Sequence, residues 1–326
     1  MKAKSIILVC LLFFTHKAWA LDVLDVFKFR RDTEVKLQTG RPQYDLTQSH
    51  GVVSPFTSYI GRMIAQLQSA KSLSQLPSLK VPPLKPGEIV VEYVYPQTKV
   101  AIADLVLRRN YIGVQEFFIV GGNVDEVFKL ATDYNNLYRL FPGMEKSRIV
   151  DREANRVDVE NWRKSEASVF GKRRSYYLTS NMLFSDGNLK KRIIKSQLLK
   201  GEGKKVKHQA LLFMDSLWYF EDCGQNCTQV YCLSFYLLRW DYGRTPPFFP
   251  FVAKEVRKQI VTGVVEGAAR SSLACLVKFG DTRLRGRPLS SFTPRDHEWV
   301  SREVEARLKK MRQDGHLKIP WDEIFA

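Results

Sequence analysis

The 326 residues lack most of the signatures by which enzymes and metal proteins declare themselves. His50, His208, His297 and His316 show no His-x-x-x-His spacing, and no Cys-x-x-Cys pair is present. Zinc-protease and redox motifs are therefore absent. There is no nucleophile elbow and no phosphate-cradling glycine loop; Gly121-Gly122-Asn123 alone is a turn. Internal repeats and low-complexity blocks are missing too, which excludes solenoids and collagen. Beyond residue 20 no apolar run reads as long and uncharged enough to cross a membrane. Acids are scarce: 34 Asp+Glu stand against 51 Lys+Arg, a formal charge of +17.

What is present begins with a leader. Lys2 and Lys4 precede the apolar run Ile6 to Phe14, and Ala18-Trp19-Ala20 follows. This is the layout of a secretory signal peptide, with nine apolar residues where a span needs about 20. Residues 1–20 are read as the leader and the mature chain as exported, periplasmic or secreted; an uncleaved anchor is the other reading. The remaining Lys and Arg are unevenly spread. Between Arg163 and Lys207 thirteen basic residues meet three acids. In an exported chain this block points to anionic lipid headgroups, with no nucleic-acid partner expected. A solvated sheet face is the alternative. Docking residues on the first reading are Lys172, Arg173, Arg174, Lys190, Lys191 and Arg192, joined by Phe248 and Phe249 beside the last long helix. Those two phenylalanines also fit a lid over the helix start.

Four cysteines follow the leader. Cys223 and Cys227 flank a Gly-containing turn between two strand-like runs, a spacing that a disulfide across a hairpin fits. Cys232 and Cys275 make a second bridge or stay as buried thiols.

Residues 21–87 form a lead-in. Ile60, Met63, Ile64 and Leu67 share a helical face there, and Pro77, Pro82, Pro83 and Pro86 read as a linker. Residues 88–280 then give two strands, two short helices (the second over Tyr134 to Leu140), an alternating meander and a helix from Pro250. Residues 281–326 add a capped helix with Val300, Val304, Leu308 and Met311 on one face.

The segment Val127-Phe128 through Asp133-Tyr134 to Phe141-Pro142-Gly143 is similar to the short-helix region of the SRPBCC superfamily. Pro246-Pro247-Phe248-Phe249-Pro250 and the helix after it resemble that family's last segment. Polyketide cyclases, coenzyme-Q-binding proteins and START-like lipid-transfer domains share this α+β helix-grip fold. It is a curved antiparallel sheet wrapped around a long C-terminal helix.

The resemblance implies a cavity between sheet and helix that holds a lipid or another hydrophobic small molecule. The alternative it carries is an enzyme, cyclase- or hydrolase-like, acting on a hydrophobic substrate. No cofactor or metal is implied. Expected wall residues are Trp162, Tyr177, Trp218, Phe220 and Tyr236 on the strands, and Val256, Ile260, Gly263 and Gly267 on the helix. Val252, Val256, Ile260, Val264 and Gly267 are expected to form the helix face that meets the sheet. An ordinary filled core satisfies the same pattern. No catalytic set is assigned; Glu116, Glu160 and Asp215 are the strand acids that inward facing would turn into candidate bases.

Overall fold

Long β-branched and aromatic runs separated by Gly, Asn and Asp turns fold into one nine-stranded sheet. A computed structural model describes residues 54–76, 79–94, 111–165, 173–186, 190–200, 211–238 and 250–322. The leader, Lys172, Phe248 and Phe249 lie outside the described residues, as do the side chains of Arg173, Arg174 and Val256.

The strands are β1 (Ile89–Val94), β2 (Tyr111–Val120), β3 (Met144–Glu153), β4 (Arg156–Ser165) and β5 (Arg173–Asp186). They continue with β6 (Lys191–Lys200), β7 (Leu211–Gly224), β8 (Cys227–Leu238) and the two-residue β9 (Leu317–Lys318). Their order across the sheet is β3-β4-β5-β6-β7-β8-β2-β1-β9. All neighbours run antiparallel except β1 and β9. The helices are α1 (Ser54–Ser69), α2 (Val124–Ala131), α3 (Pro250–Gly280) and α4 (Pro294–Gln313).

Local chemistry explains the joints. Asn123 caps α2, its Oδ1 accepting from the Glu126 N–H at 2.9 Å. Gly122, between β2 and α2, cannot carry a side chain, because a Cβ there would lie 2.8 Å from the Phe279 ring. The expected second short helix is a single 3-10 turn, Leu137–Arg139. Its leading asparagines bond elsewhere: Asn136 to the Asp133 carboxylate, and Asn135 to the Ile149 N–H. The β7–β8 hairpin turns through Gln225 and Asn226, both at positive φ, and Cys223–Cys227 bridges it. Cys232 and Cys275 are buried free thiols, which decides between the two readings of that pair.

One face of the sheet packs against α1. Ile60, Ile64 and Leu67 are fully buried there, and Tyr59 meets Phe235 edge-on at 6.0 Å. Lys191 is only 2% exposed, because its Nζ donates to the carbonyls of Leu67 and Ala70 at the end of α1. Those are carbonyls that a helix C-terminus leaves without an internal partner. The lead-in helix is thus part of the domain.

The other face carries α2 and α3. α2 sits over β6, β7 and β8, whereas α3 meets β2 and β1. Deepest on α3 are Val261, Val265, Ala269, Leu273 and Leu276. The expected stripe is therefore displaced by one or two residues: Ile260, Val264 and Gly267 are only partly buried. α4 backs α3 through buried Val300, Val304, Leu308 and Met311 and the pairs Arg270–Glu305 and Arg312–Glu266, each 2.6 Å. Thr293 and Asp296 cap α4 reciprocally. After α4 the chain returns to the sheet as β9, the Val91 N–H donating to the His316 carbonyl at 3.0 Å.

Residues 258–280 of α3 have the length and apolar content of a membrane span, contrary to the reading of the sequence. Packing between sheet and α4 accounts for that composition, since a helix covered on two sides is apolar on two sides. A bent antiparallel sheet gripping a long helix near the C-terminus is the α+β helix-grip arrangement.

If α1 belongs to the core, Ile64→Ala costs about 2–5 kcal/mol in urea unfolding. The exposed neighbour Gln68→Ala leaves the midpoint in place.

Candidate functional site

Strand alternation sorts the expected wall residues by face. Trp218, Phe220 and Tyr236 share the concave face with Val114, Phe118, Val230 and Ile194. Tyr177 joins them, two residues from Thr179, which pairs with the core residue Val159. Trp162 does not. It pairs with Tyr176, its indole N–H donates to Glu160 at 2.9 Å, and the two rings lie 4.9 Å apart on the opposite face from Val157 and Val159. Trp162 instead borders a separate groove of about 970 Å³ with Tyr138, Arg139, Met144, Phe292 and His297. The placement at the inner wall is corrected for this residue: β4 is fixed by its pairing with β5, which turns its odd-numbered residues inward.

Off the buried stripe of Val261, Val265 and Ala269, α3 carries Ile260, Gly263, Val264, Gly267, Ala268 and Ser271. All are only partly buried. Among the described residues, a Cβ built on Gly263 or Gly267 meets nothing within 4 Å. Close helix-on-strand packing, the other reason for glycine at these positions, is thereby excluded. The sheet opposite is equally small at its centre. Asn181, Ser196, Ser216 and Ser234 stand in register across β5, β6, β7 and β8, all buried. Trp218, Tyr236, Ile260 and Val264 are partly buried and pack against the core on this side of the sheet.

A polar cluster closes the β2 side. Glu116 on β2 is 1% exposed and stands opposite Cys232 on β8. Ser272 of α3 donates its hydroxyl to Glu116 Oε2, and the Cys232 thiol also hydrogen-bonds the carboxyl. Ser234 lies 3.5 Å from the Cys232 sulfur and hydrogen-bonds Tyr236. Burial pushes the Glu116 carboxyl up to about 7, with the Ser272 and Cys232 bonds acting against it. Burial likewise pushes the Cys275 thiol up to about 12 and holds Tyr236 protonated.

The other two strand acids take different surroundings. Glu160 is drawn up by burial, but hydrogen bonds from Trp162 and Arg148 outweigh this and keep its carboxyl below the usual range. Asp215 faces the α1 side and pairs with Lys195 at 3.8 Å, both almost inaccessible. Only Glu116 faces α3, and its environment, unlike its position in a strand, was not legible in the sequence.

The basic residues expected at a docking face are largely engaged within the chain. Lys191 is buried beneath α1, which removes it from any surface; Lys190 pairs with Asp222 at 2.9 Å and Arg192 with Asp125 at 2.7 Å. Among the described residues no group of three or more His, Cys, Asp or Glu is arranged to hold a metal ion.

No family model matches the chain, and neither does any curated protein. Solved structures resemble it. The Zhui aromatase/cyclase from Streptomyces sp. R1128 is 16% identical over 54% of this chain and 97% of its own, with a TM-score of 0.40. A STAR-related lipid transfer protein from Xanthomonas axonopodis is 10% identical over 59% and 94%, TM-score 0.42. Human STARD10 is 10% identical over 67% and 80%, TM-score 0.42. The fold is a helix-grip fold. That rests on the chain's own strand order and helix placement.

Glu116 gives this fold a pH dependence whose sign follows from its raised carboxyl. The folded state holds a proton that the unfolded chain releases near 4.5, so this group's contribution to stability falls as pH rises from about 4.5 to 7 and is flat above. Glu116→Gln removes the decline and leaves the variant about 3 kcal/mol more stable than the parent at pH 8, relative to their difference at pH 4.5. Thermal unfolding of both proteins across that range checks it.

Proposed function

We propose that the chain is an exported START-like binding protein that takes a lipid or another hydrophobic small molecule into the hollow between β5–β8 and α3. The observation that carries this reading is the row of small polar residues, Asn181, Ser196, Ser216 and Ser234, in register across the sheet face on which Trp218 and Tyr236 are only partly buried. A gap lined by Trp218, Tyr236, Ile260 and Val264 offers apolar contact with a few hydrogen-bonding groups, the composition of a small-molecule site. An anionic membrane surface is the proposed place of exchange, approached through Lys172, Arg173 and Arg174.

A second reading, an enzyme acting on a hydrophobic substrate, is favoured by one observation. Glu116, with its carboxyl near neutrality, is the strand acid that faces the interior. Turnover lost in Glu116→Gln with binding retained would select it.

Filling the hollow separates carriage from a solid core. Gly263→Leu and Gly267→Leu gain helix propensity of roughly 1 kcal/mol each and meet no neighbour at Cβ, so both fold at least as stably as the parent. Native mass spectrometry after incubation with a lipid extract is expected to show adducts on the parent and none on the double variant; equal occupancy of both would sink the proposal. Export predicts a mature chain in the native host that starts at Leu21, read by intact mass. A chain retaining Met1 would overturn it.

A further inference from the structure

We infer that the groove bordered by Arg139, Lys146, Trp162 and His297 is a second binding site, which takes an aromatic molecule carrying a carboxylate or phosphate head. The site is separate from the hollow beneath α3 and stands without it. It lies where the 3-10 turn Leu137–Arg139, β3, β4 and the start of α4 meet. Its volume of about 970 Å³ is that of a small-molecule pocket.

Charge favours an anion there. Arg139 and Lys146 form no ion pair among the described residues, and Lys146 acts on Glu160 only at a distance. The acids nearby are already answered. Glu160 accepts from Arg148 and from the Trp162 indole, and Asp296 pairs with Arg287 at 3.0 Å. Glu145, the sole acid among the described lining residues, is exposed.

The donors are positioned from behind. Arg139 Nη1 donates to the Phe292 carbonyl at 2.8 Å, and the guanidinium carbon lies 5.3 Å from the centre of the Tyr138 ring. Its Nε is enclosed, whereas Nη2 keeps access to solvent and has no partner among the described residues. One carbonyl thus answers a half-buried group that has five N–H donors and a permanent charge. A planar carboxylate or a phosphate fits the open end of that fork. His297 Nδ1 lies 3.1 Å from the Arg139 carbonyl oxygen, and an oxygen of that kind only accepts. The ring proton is therefore on Nδ1, and Nε2 is the nitrogen left for a ligand. The first turn of α4 contributes nothing further, since Thr293 and Asp296 already cap it.

The rest of the lining calls for a flat apolar body. The Trp162 indole is held by its bond to Glu160 at 2.9 Å and by the Tyr176 ring at 4.9 Å, yet stays partly accessible. Tyr138 offers a second ring, and buried Met144 and Phe292 back the groove. Fixed aromatic faces bind another ring with little loss of side-chain freedom.

The test titrates the full chain with 2-naphthoate, 2-naphthyl phosphate, 2-naphthalenemethanol and 2-naphthylmethylamine, read by calorimetry. The expected result is that one of the two anions binds at least tenfold tighter than the alcohol, with the amine weakest; the tighter anion identifies the head. Lys146→Glu, at an exposed position, should lower anion affinity at least fivefold. The same reversal at exposed Lys309, about 22 Å along α4 from Pro294, should leave it within twofold. Arg139→Lys keeps the charge and loses the fork, so anion affinity falls at least tenfold while the alcohol is unaffected. Should that variant fold poorly, Lys146→Glu carries the charge test, and Trp162→Leu should weaken all four probes. Equal affinity for anions and alcohol, or tighter binding of the amine, overturns the inference. So does the absence of anion binding at about 1 mM, or an equal loss in Lys146→Glu and Lys309→Glu.

Discussion

One helix must cover the concave face of a sheet far wider than itself. Strands stand about 4.8 Å apart and a helix with its side chains is about 10–12 Å across, so α3 spans two or three strands of nine. It spends that width on β1 and β2, where Val261, Val265, Ala269 and Leu276 interlock with Val91, Val114 and Phe118. α2 covers one end of β6, β7 and β8. Small residues recur on both elements: Gly263, Gly267 and Ala268 on α3, and Ser216 and Ser234 on the inner face of β7 and β8. Larger side chains at the two glycines would meet no backbone among the described residues, since a Cβ on either has nothing within 4 Å there.

Keeping the proposed hollow open demands that α3 not fall into it. Packing favours collapse, because every unfilled volume forgoes contacts that a small inward shift would recover. The chain resists this from behind. α4 holds α3 by an apolar seam and by the Glu266–Arg312 and Arg270–Glu305 pairs, and β9 ties the segment after α4 to β1. Lys318 adds a 2.7 Å pair with Glu92 on the same edge. The C-terminal segment therefore braces α3 and the β1 edge from behind.

Legibility in the sequence followed how many sides of an element are buried. α4, buried on one side, was readable to the residue from its cap at Thr293 and its stripe at Val300, Val304, Leu308 and Met311. The strand meander was readable from its turns. On β7 and β8 the expected Trp218, Phe220 and Tyr236 do share the inner face, but alternation gave no support for it, because α1 buries the outer face and α2 and α3 face the inner one. Leu217 and Tyr219 are as inaccessible as Phe220, so hydrophobic alternation vanishes. The same cover hid Lys191 and Asp215, which a one-sided sheet would have left at the surface. Trp162 misled for a different reason: an aromatic on an edge-side strand reads the same on either face until pairing with β5 fixes it. On α3 the apolar periodicity was blurred by α4, which shifted the inferred contact stripe to the residues that border the hollow.

The buried polar groups show how the two faces differ in purpose. On the α1 side each charge is answered: Lys195 by Asp215, Lys191 by the carbonyl end of α1, and Glu221 by the Leu73 N–H at 3.1 Å. Those pairings fix α1 in one position and leave nothing for a ligand to complete. On the α3 side Glu116 has hydroxyl and thiol donors but no counter-charge among the described residues, and burial raises its carboxyl to about 7. A fold that merely needed a filler opposite Cys232 would be more stable with an apolar residue of that size. The two faces thus differ: the α1 side answers its buried charges with opposite charges or backbone groups, while the α3 side holds Glu116 with the neutral donors Ser272 and Cys232.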